Sequence, residues 1–433
     1  MGATFSTGLI DTLRSGAWLT RARVRLWSLA VLIAAAGGLA FLLATAHGRI
    51  DFQGRPLGTD FSNVYAAGTY VLEGRAEAAF DPALQHARAQ ALFGQEAPAY
   101  GWHYPPFFLF VAAALAVFPY LLALAIWQGV TLLLYLAAIR AVLRAAAPSD
   151  GDEGAADPLW LLLAVAFPAV FVNLGHGHNG FLTAALLSVA LVTLDRRPAL
   201  AGILFGLLVY KPQFGLLIPL VLAASGRWRT FVAATATVTA LVLLTTLAFG
   251  PDIWRAFWTS THFTRTVVLE AGDIGWHKIQ SVFAWVRMWG GPVPLAYAVQ
   301  GVVTLALATA LAWLWRGPAP LALKAAALAL AAILATPYSL DYDMMVLAPA
   351  IAFLAMHGWA NGFGPYGKSA LAALWIVPLV ARPVAGATLV PLGAPVMLAA
   401  FALVLRDAVA ANARHPIPAR SPPLAPAQAT NSS

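Results

Sequence analysis

Apolar runs about twenty residues long recur along the whole chain, and most of the charge lies in the gaps between them. Runs with no charged residue cover 26–46, 158–194, 230–249, 288–315 and 383–405, and nearly continuous ones cover 104–139, 198–226 and 325–381. As a helix, each has the length needed to cross a hydrocarbon core of about 30 Å. The period-two alternation of barrel strands is absent, and lipid-facing backbone must satisfy its own hydrogen bonds, so the runs read as helices. The pattern predicts an all-α polytopic membrane protein with about 10–13 transmembrane helices.

Composition agrees, with 61% hydrophobic and 10% charged residues over 433, more apolar surface than a soluble core absorbs. The first run is too long for a cleavable signal and lacks a small-residue cleavage site, so it is expected to remain as a span. The predicted organisation is a cytoplasmic segment 1–25, a membrane domain 26–406 and a disordered cytoplasmic tail 407–433, Pro-, Ala- and Ser-rich from about Asn412 on. Segment 145–157 reads as a polar surface loop. Arg14, Arg21, Arg23 and Arg25 precede the first span, and Arg406, Arg414 and Arg420 come after the last, which puts both termini on the cytoplasmic side. The net charge of +8 results from that bias, and no basic stripe interleaved with aromatics suggests nucleic acid. With no cysteine, disulfides and thiol chemistry are excluded.

Two gaps are long. Residues 47–103 form a first extracytoplasmic loop carrying Gly58-Thr59-Asp60-Phe61 and Tyr65, and it runs into His103-Tyr104-Pro105-Pro106 at the next apolar run. An acid held there, at the mouth of the bilayer among aromatics, is well placed for chemistry on a lipid-borne substrate. Residues 251–280 form a second aqueous loop whose Trp254, Phe257, Trp258, Phe263 and Trp276 suit helices lying in the interface.

Polar groups inside apolar runs are costly and mark candidate sites. Lys211 lies in mid-run beside Pro212, flanked by Tyr210 and Gln213, which predicts two short helices meeting there. It reads as a phosphate clamp or as a lysine snorkelling to the interface. Asn173-Leu174-Gly175-His176-Gly177-His178-Asn179-Gly180 interrupts another run and suits an unwound polar turn touching substrate, or a plain interhelical loop; as a metal site it is weak. Asp341 and Asp343, in Thr336-Pro337-Tyr338-Ser339-Leu340-Asp341-Tyr342-Asp343, suit either sugar hydroxyls or the cap of a helix beginning just after them. Pro119 splits 104–143 into two short halves, one crossing or two.

In their order, Asp60-Phe61-x-x-x-Tyr65-x-x-Gly68, Tyr104-Pro105-Pro106, Gly177-His178-Asn179, Ala201-Gly202-x-x-x-Gly206 with Lys211-Pro212-Gln213, Arg227-Trp228-Arg229 and Thr336-Pro337-Tyr338-Ser339 resemble glycosyltransferase family 87 over roughly residues 10 to 405. The resemblance implies a C-type glycosyltransferase helical bundle in the cytoplasmic (inner) membrane. It further implies transfer of a hexosyl unit, mannosyl in some members, from a polyprenyl-phosphate donor to a lipid-linked or glycan acceptor on the extracytoplasmic face. Transfer would invert the anomeric centre, with neither nucleotide nor bound metal. By this likeness Asp60 is the catalytic base; Lys211, Tyr65, Tyr104, His178, Asn179, Gln213, Asp341 and Asp343 are the candidate substrate contacts. Where some mannosyltransferase members carry a tryptophan-and-histidine cluster, this chain has Leu340-Asp341-Tyr342-Asp343, leaving donor sugar and acceptor open. A transporter or lipid flippase is the alternative, although a break matching Lys211-Pro212 is not evident in the C-terminal half.

Overall fold

The computed structural model describes residues 2–145 and 157–414, with side chains over 8–145 and 157–412. Among the described residues the regular structure is helical throughout, with only isolated β-bridges. Seven helices are long and apolar enough to cross a membrane: Arg21–Ala44, Tyr120–Ala145, Trp228–Phe249, Val293–Arg316, Asp341–Asn361, Gly367–Thr388 and Gly393–Asn412. Pro158–Val165 and Pro168–His176, bent by 44° at their junction, form an eighth if taken as one span. Five further apolar helices, Pro106–Ala116, Gly180–Thr193, Pro198–Tyr210, Pro212–Ala224 and Leu321–Leu334, have 10–17 residues each. The expected ten to thirteen crossings therefore resolve into seven or eight full-length spans and five shorter helices.

Proline makes most of these breaks. Lacking an N–H, it costs nothing in a helix's first turn and much in its interior, so apolar runs restart at Pro158, Pro168, Pro198 and Pro212. The expected meeting of two short helices at Lys211-Pro212 is present. The break at Pro119 is also present, but a 26-residue helix begins directly after it, because the apolar pattern continues to Ala145. Residues 407–414, expected in a disordered tail, instead complete the Gly393–Arg414 helix, where Ala408 is fully buried. Residues 415–433 of that tail, and 146–156 of the expected polar loop, lie outside the described residues.

Burial separates centre from perimeter. The most apolar stretches of Arg21–Ala44 and Trp228–Phe249 are only 6% buried, whereas that of Asp341–Asn361 is 72% buried. Leu321–Leu334 is alanine- and leucine-rich and buried from Ala325 to Leu334. An apolar helix exposed on most of its surface requires lipid around it, so the outer helices face the bilayer and the alanine-rich one fills the middle. Small residues set a close crossing. A Cβ at Gly202 would sit 2.4 Å from the Thr230 carbonyl oxygen, and one at Gly206 2.8 Å from that of Ala234. This Gly-x-x-x-Gly edge therefore brings its helix into backbone contact with Trp228–Phe249.

The long first loop is folded. Buried Asp51 closes a turn by accepting from Gln53 N (2.9 Å) and Arg55 N (2.8 Å). The helices Thr59–Leu72 and Pro82–Phe93 come next, the second capped by Asp81, whose Oδ1 accepts from Ala83 N and Leu84 N. In the second loop, Asp252–Phe263 leaves Trp258 77% exposed, as an interfacial helix should.

Candidate active site

Asp60 stands in the first turn of Thr59–Leu72, where the helix N-terminus favours a carboxylate. The approach to that turn is fixed by Tyr120, whose hydroxyl donates to the Leu57 carbonyl (2.5 Å), and by Gly58, which takes a left-handed conformation. Gly58 lies against Gly177, itself left-handed at φ 62, and a Cβ on Gly177 would fall 3.2 Å from the Gly58 Cα and 2.6 Å from the Phe61 Cβ. The first-loop helix is thereby seated on the break in the His176–Gly180 turn, and Thr59 Oγ1 lies 2.7 Å from His176 Nδ1. Gly177→Ala combines a left-handed alanine with a steric clash, so it should cost about 2 kcal/mol or more and lower turnover by displacing Asp60. Thermal unfolding and activity of the purified variant check this; wild-type values for both would show that the glycine contact does not position the acid.

Asp60 Oδ2 is buried and has no hydrogen-bond partner among the described residues. Burial pushes its carboxyl above the ordinary aspartate range; His176 and Lys211 pull it back, and Asp341 and Asp343 push it up. Asp60 and these four groups, from distant parts of the chain, thus lie within electrostatic reach of one another and mark out one polar chamber.

Two helix breaks supply polar groups within electrostatic reach of Asp60. Asn173 holds the first: its Nδ2 donates to the Ala169 carbonyl (2.8 Å) and the Tyr342 carbonyl (3.0 Å), and its Oδ1 accepts from Gly180 N (2.9 Å). His178 stacks on Tyr342 with ring centroids 3.6 Å apart. Three polar atoms here, His178 Nδ1 and both side-chain heteroatoms of Asn179, are buried without a partner among the described residues. Unmet hydrogen bonds in such a place point to a polar ligand or water.

At the second break, Lys211 is 4% exposed and donates to Asp343 Oδ1 at 2.6 Å. It does not snorkel to an interface, and it is not the uncompensated point charge expected of a phosphate clamp, because the pair is neutral overall. Asp343 Oδ2 accepts from Leu340 N (3.0 Å) and Asp341 Oδ1 from Tyr342 N (2.9 Å), so both acids also cap their turn. Asp341 Oδ2 lies 3.6 Å from Arg382 Nη1.

Of the remaining expected contacts, Tyr104 joins the chamber. Its ring packs between Trp102 (5.2 Å) and Phe108 (4.7 Å), and burial, reinforced by the charge of Asp60, raises its hydroxyl above the usual tyrosine value. Tyr65 points elsewhere: its hydroxyl donates to the Phe118 carbonyl (2.9 Å) and its ring meets Tyr120 edge-on, which is a packing role. Gln213 is partly buried in the Pro212–Gly215 turn and makes no hydrogen bond among the described residues. The structure adds His176 and Asn173, and it sets Tyr100 and Tyr338 within electrostatic reach of Asp60. Tyr100 is pushed up to about 12 by burial and then by the charge of Asp60. His103 is lowered to about 4 by burial, so it is neutral at neutral pH, with Nδ1 2.7 Å from Thr264 Oγ1.

Compared with known families, residues 102–337 match the model of glycosyltransferase family 87, more than half of the chain. The matched segment holds Tyr104, both helix breaks and the start of the Thr336–Asp343 turn, and it favours transfer over transport. Among curated proteins and among solved structures, nothing matches.

Proposed function

This chain belongs to glycosyltransferase family 87 and is a membrane glycosyltransferase, and from that premise we propose that it moves a hexosyl unit, mannosyl by its likeness to some family members, from a polyprenyl-phosphate donor to a lipid-linked or glycan acceptor. The carrying observation is Asp60, a carboxylate with a buried oxygen that, like the buried polar atoms of His178 and Asn179, has no hydrogen-bond partner among the described residues. In this reading the acceptor hydroxyl attacks the anomeric carbon while Asp60 takes its proton. The bond from the anomeric carbon to the phosphate oxygen breaks in the same displacement, and the prenyl phosphate leaves with the electron pair. One carboxylate suffices for such an inverting step, because the leaving phosphate needs no acid. His178, Asn179 and Tyr104 would meet sugar hydroxyls, and Lys211, steadied by Asp343, would offer its remaining N–H donors. The basic termini support a site on the extracytoplasmic face of the inner membrane.

The test is incubation of purified protein with radiolabelled polyprenyl-phosphate sugars and a membrane lipid extract. Transfer of label into a new lipid species supports the reading; labelled product formed only from nucleotide sugars overturns the donor class. The same assay should run undiminished in excess chelator. Asp341 and Asp343 already accept backbone N–H groups and face Arg382 and Lys211, which leaves them poorly placed to cage a divalent ion. Activity lost to chelator and restored by magnesium or manganese would refute metal independence.

A further inference from the structure

The leaving phosphate of the proposed donor carries the largest negative charge of the reaction, and Lys211, neutralised by Asp343, has no surplus positive charge to offer it. Charge pairing around the chamber shows where that surplus lies. Lys211 is matched by Asp343 at 2.6 Å and Arg382 by Asp341 at 3.6 Å, whereas Lys278 has no carboxylate within ion-pair distance among the described residues. Lys278 is half-buried and lies within electrostatic reach of Asp60, Asp341, Arg55 and Arg382.

Three segments bring these cations together. The turn Trp276–Lys278 is bolted to the Asp341 turn: Gln280 N donates to the Ser339 carbonyl (2.7 Å) and Ser281 Oγ to the Pro337 carbonyl (2.7 Å). Gln280 Nε2 donates to the His277 carbonyl (3.1 Å), which holds the turn itself. Arg382 comes from Gly367–Thr388, between the interior prolines Pro378 and Pro383, and that helix packs on both turns. The Arg382 side chain is 40% exposed and its contact with Asp341 is long, so the guanidinium is free to engage a second anion.

We propose that Lys278 and Arg382 form the phosphate-binding site of this enzyme, taking a prenyl phosphate monoester beside Asp60. The inference rests on the lipid-phosphate donor proposed above. Burial and Arg382 both lower the Lys278 ammonium's pKa, and the negative charge of a bound phosphate would offset both. The fork of the arginine grips two phosphate oxygens while the lysine supplies a point charge, and both strengthen as charge develops on the leaving oxygen.

The experiment measures binding of farnesyl phosphate to purified full-length protein in detergent, with farnesol and inorganic phosphate as separate arms. Wild type should bind farnesyl phosphate about tenfold or more tighter than either, and Lys278→Gln and Arg382→Gln should each weaken that binding by about tenfold or more. Arg382→Lys keeps the charge but loses the two-pronged grip, so it should bind more weakly than wild type and more tightly than Arg382→Gln, which separates loss of charge from loss of fold. Wild-type affinity in both Gln variants overturns the site while leaving the lipid-phosphate donor standing. No binding of farnesyl phosphate by wild type overturns the donor reading and the site with it. Equal affinity for inorganic phosphate overturns the lipid assignment, marking a site for soluble anions.

Discussion

Asp60→Asn should cut turnover by about two to four orders of magnitude, or about 3–5 kcal/mol in the barrier, without harming the fold. The isosteric amide keeps the shape of the side chain but cannot take a proton from an attacking hydroxyl. Stability should move the other way. Because the Asp60 pKa is raised in the folded state, its ionisation opposes folding, and this penalty grows as pH climbs above 3.8, the ordinary aspartate value, through the raised folded value. At neutral pH the Asn variant should therefore melt at the same temperature as wild type or higher. In wild type, activity should rise with pH along a limb shifted above the usual aspartate range, since only the ionised form is a base. A purified Asn variant that transfers sugar within about tenfold of wild type would remove Asp60 from the chemistry.

The features legible in the chain are those that proline, glycine and hydrophobic runs fix locally. Helicity, the breaks at Pro119 and Pro212 and the polar turn around His178 depend on neighbours in sequence. The content of the site depends on distant partners. Lys211 stands out as a charge in an apolar run, but the acid that neutralises it is 132 residues away, and no spacing rule joins them. The same gap in sequence hides the meaning of Asp343, which both pairs with that lysine and caps its own turn.

Tyr65 misleads for a related reason. It follows Asp60 by five residues, which on one helix turns it about 140° away, and with its hydroxyl tied to Phe118 it packs the helix rather than facing the chamber. His176 is legible only as part of an apolar-run interruption, and its approach to Thr59 requires the first loop to fold back onto that break. Lys278 and Arg382 look ordinary in sequence, one in an aqueous loop and one at the end of an apolar run. An arginine between two prolines within a long helix is the signal that singles out the second. The chamber is thus assembled by helix packing, which the hydrophobic pattern requires but does not arrange in detail.

Lys211→Met should be among the most destabilising single changes in the protein. It leaves the Asp343 carboxylate, 2% exposed, without its counter-charge, and breaking a buried pair on one side costs about 3–5 kcal/mol. The Leu340 N–H remains to the acid, which tempers the loss without replacing a cation. Removing both charges is a different matter, since two apolar side chains of similar volume often pack as well as the pair they replace. Lys211→Met with Asp343→Leu should therefore recover most of the lost stability, a coupling of about 2 kcal/mol or more in a double-mutant cycle. Thermal or denaturant unfolding in detergent gives the cycle, and the transfer assay on the double variant gives the function. If Lys211→Met alone is as stable as wild type, the pair does not lock the Lys211 break to the Asp343 turn. A stable double variant that transfers sugar normally would confine Lys211 to structure; a stable but inactive one shows that these two side chains also act on substrate.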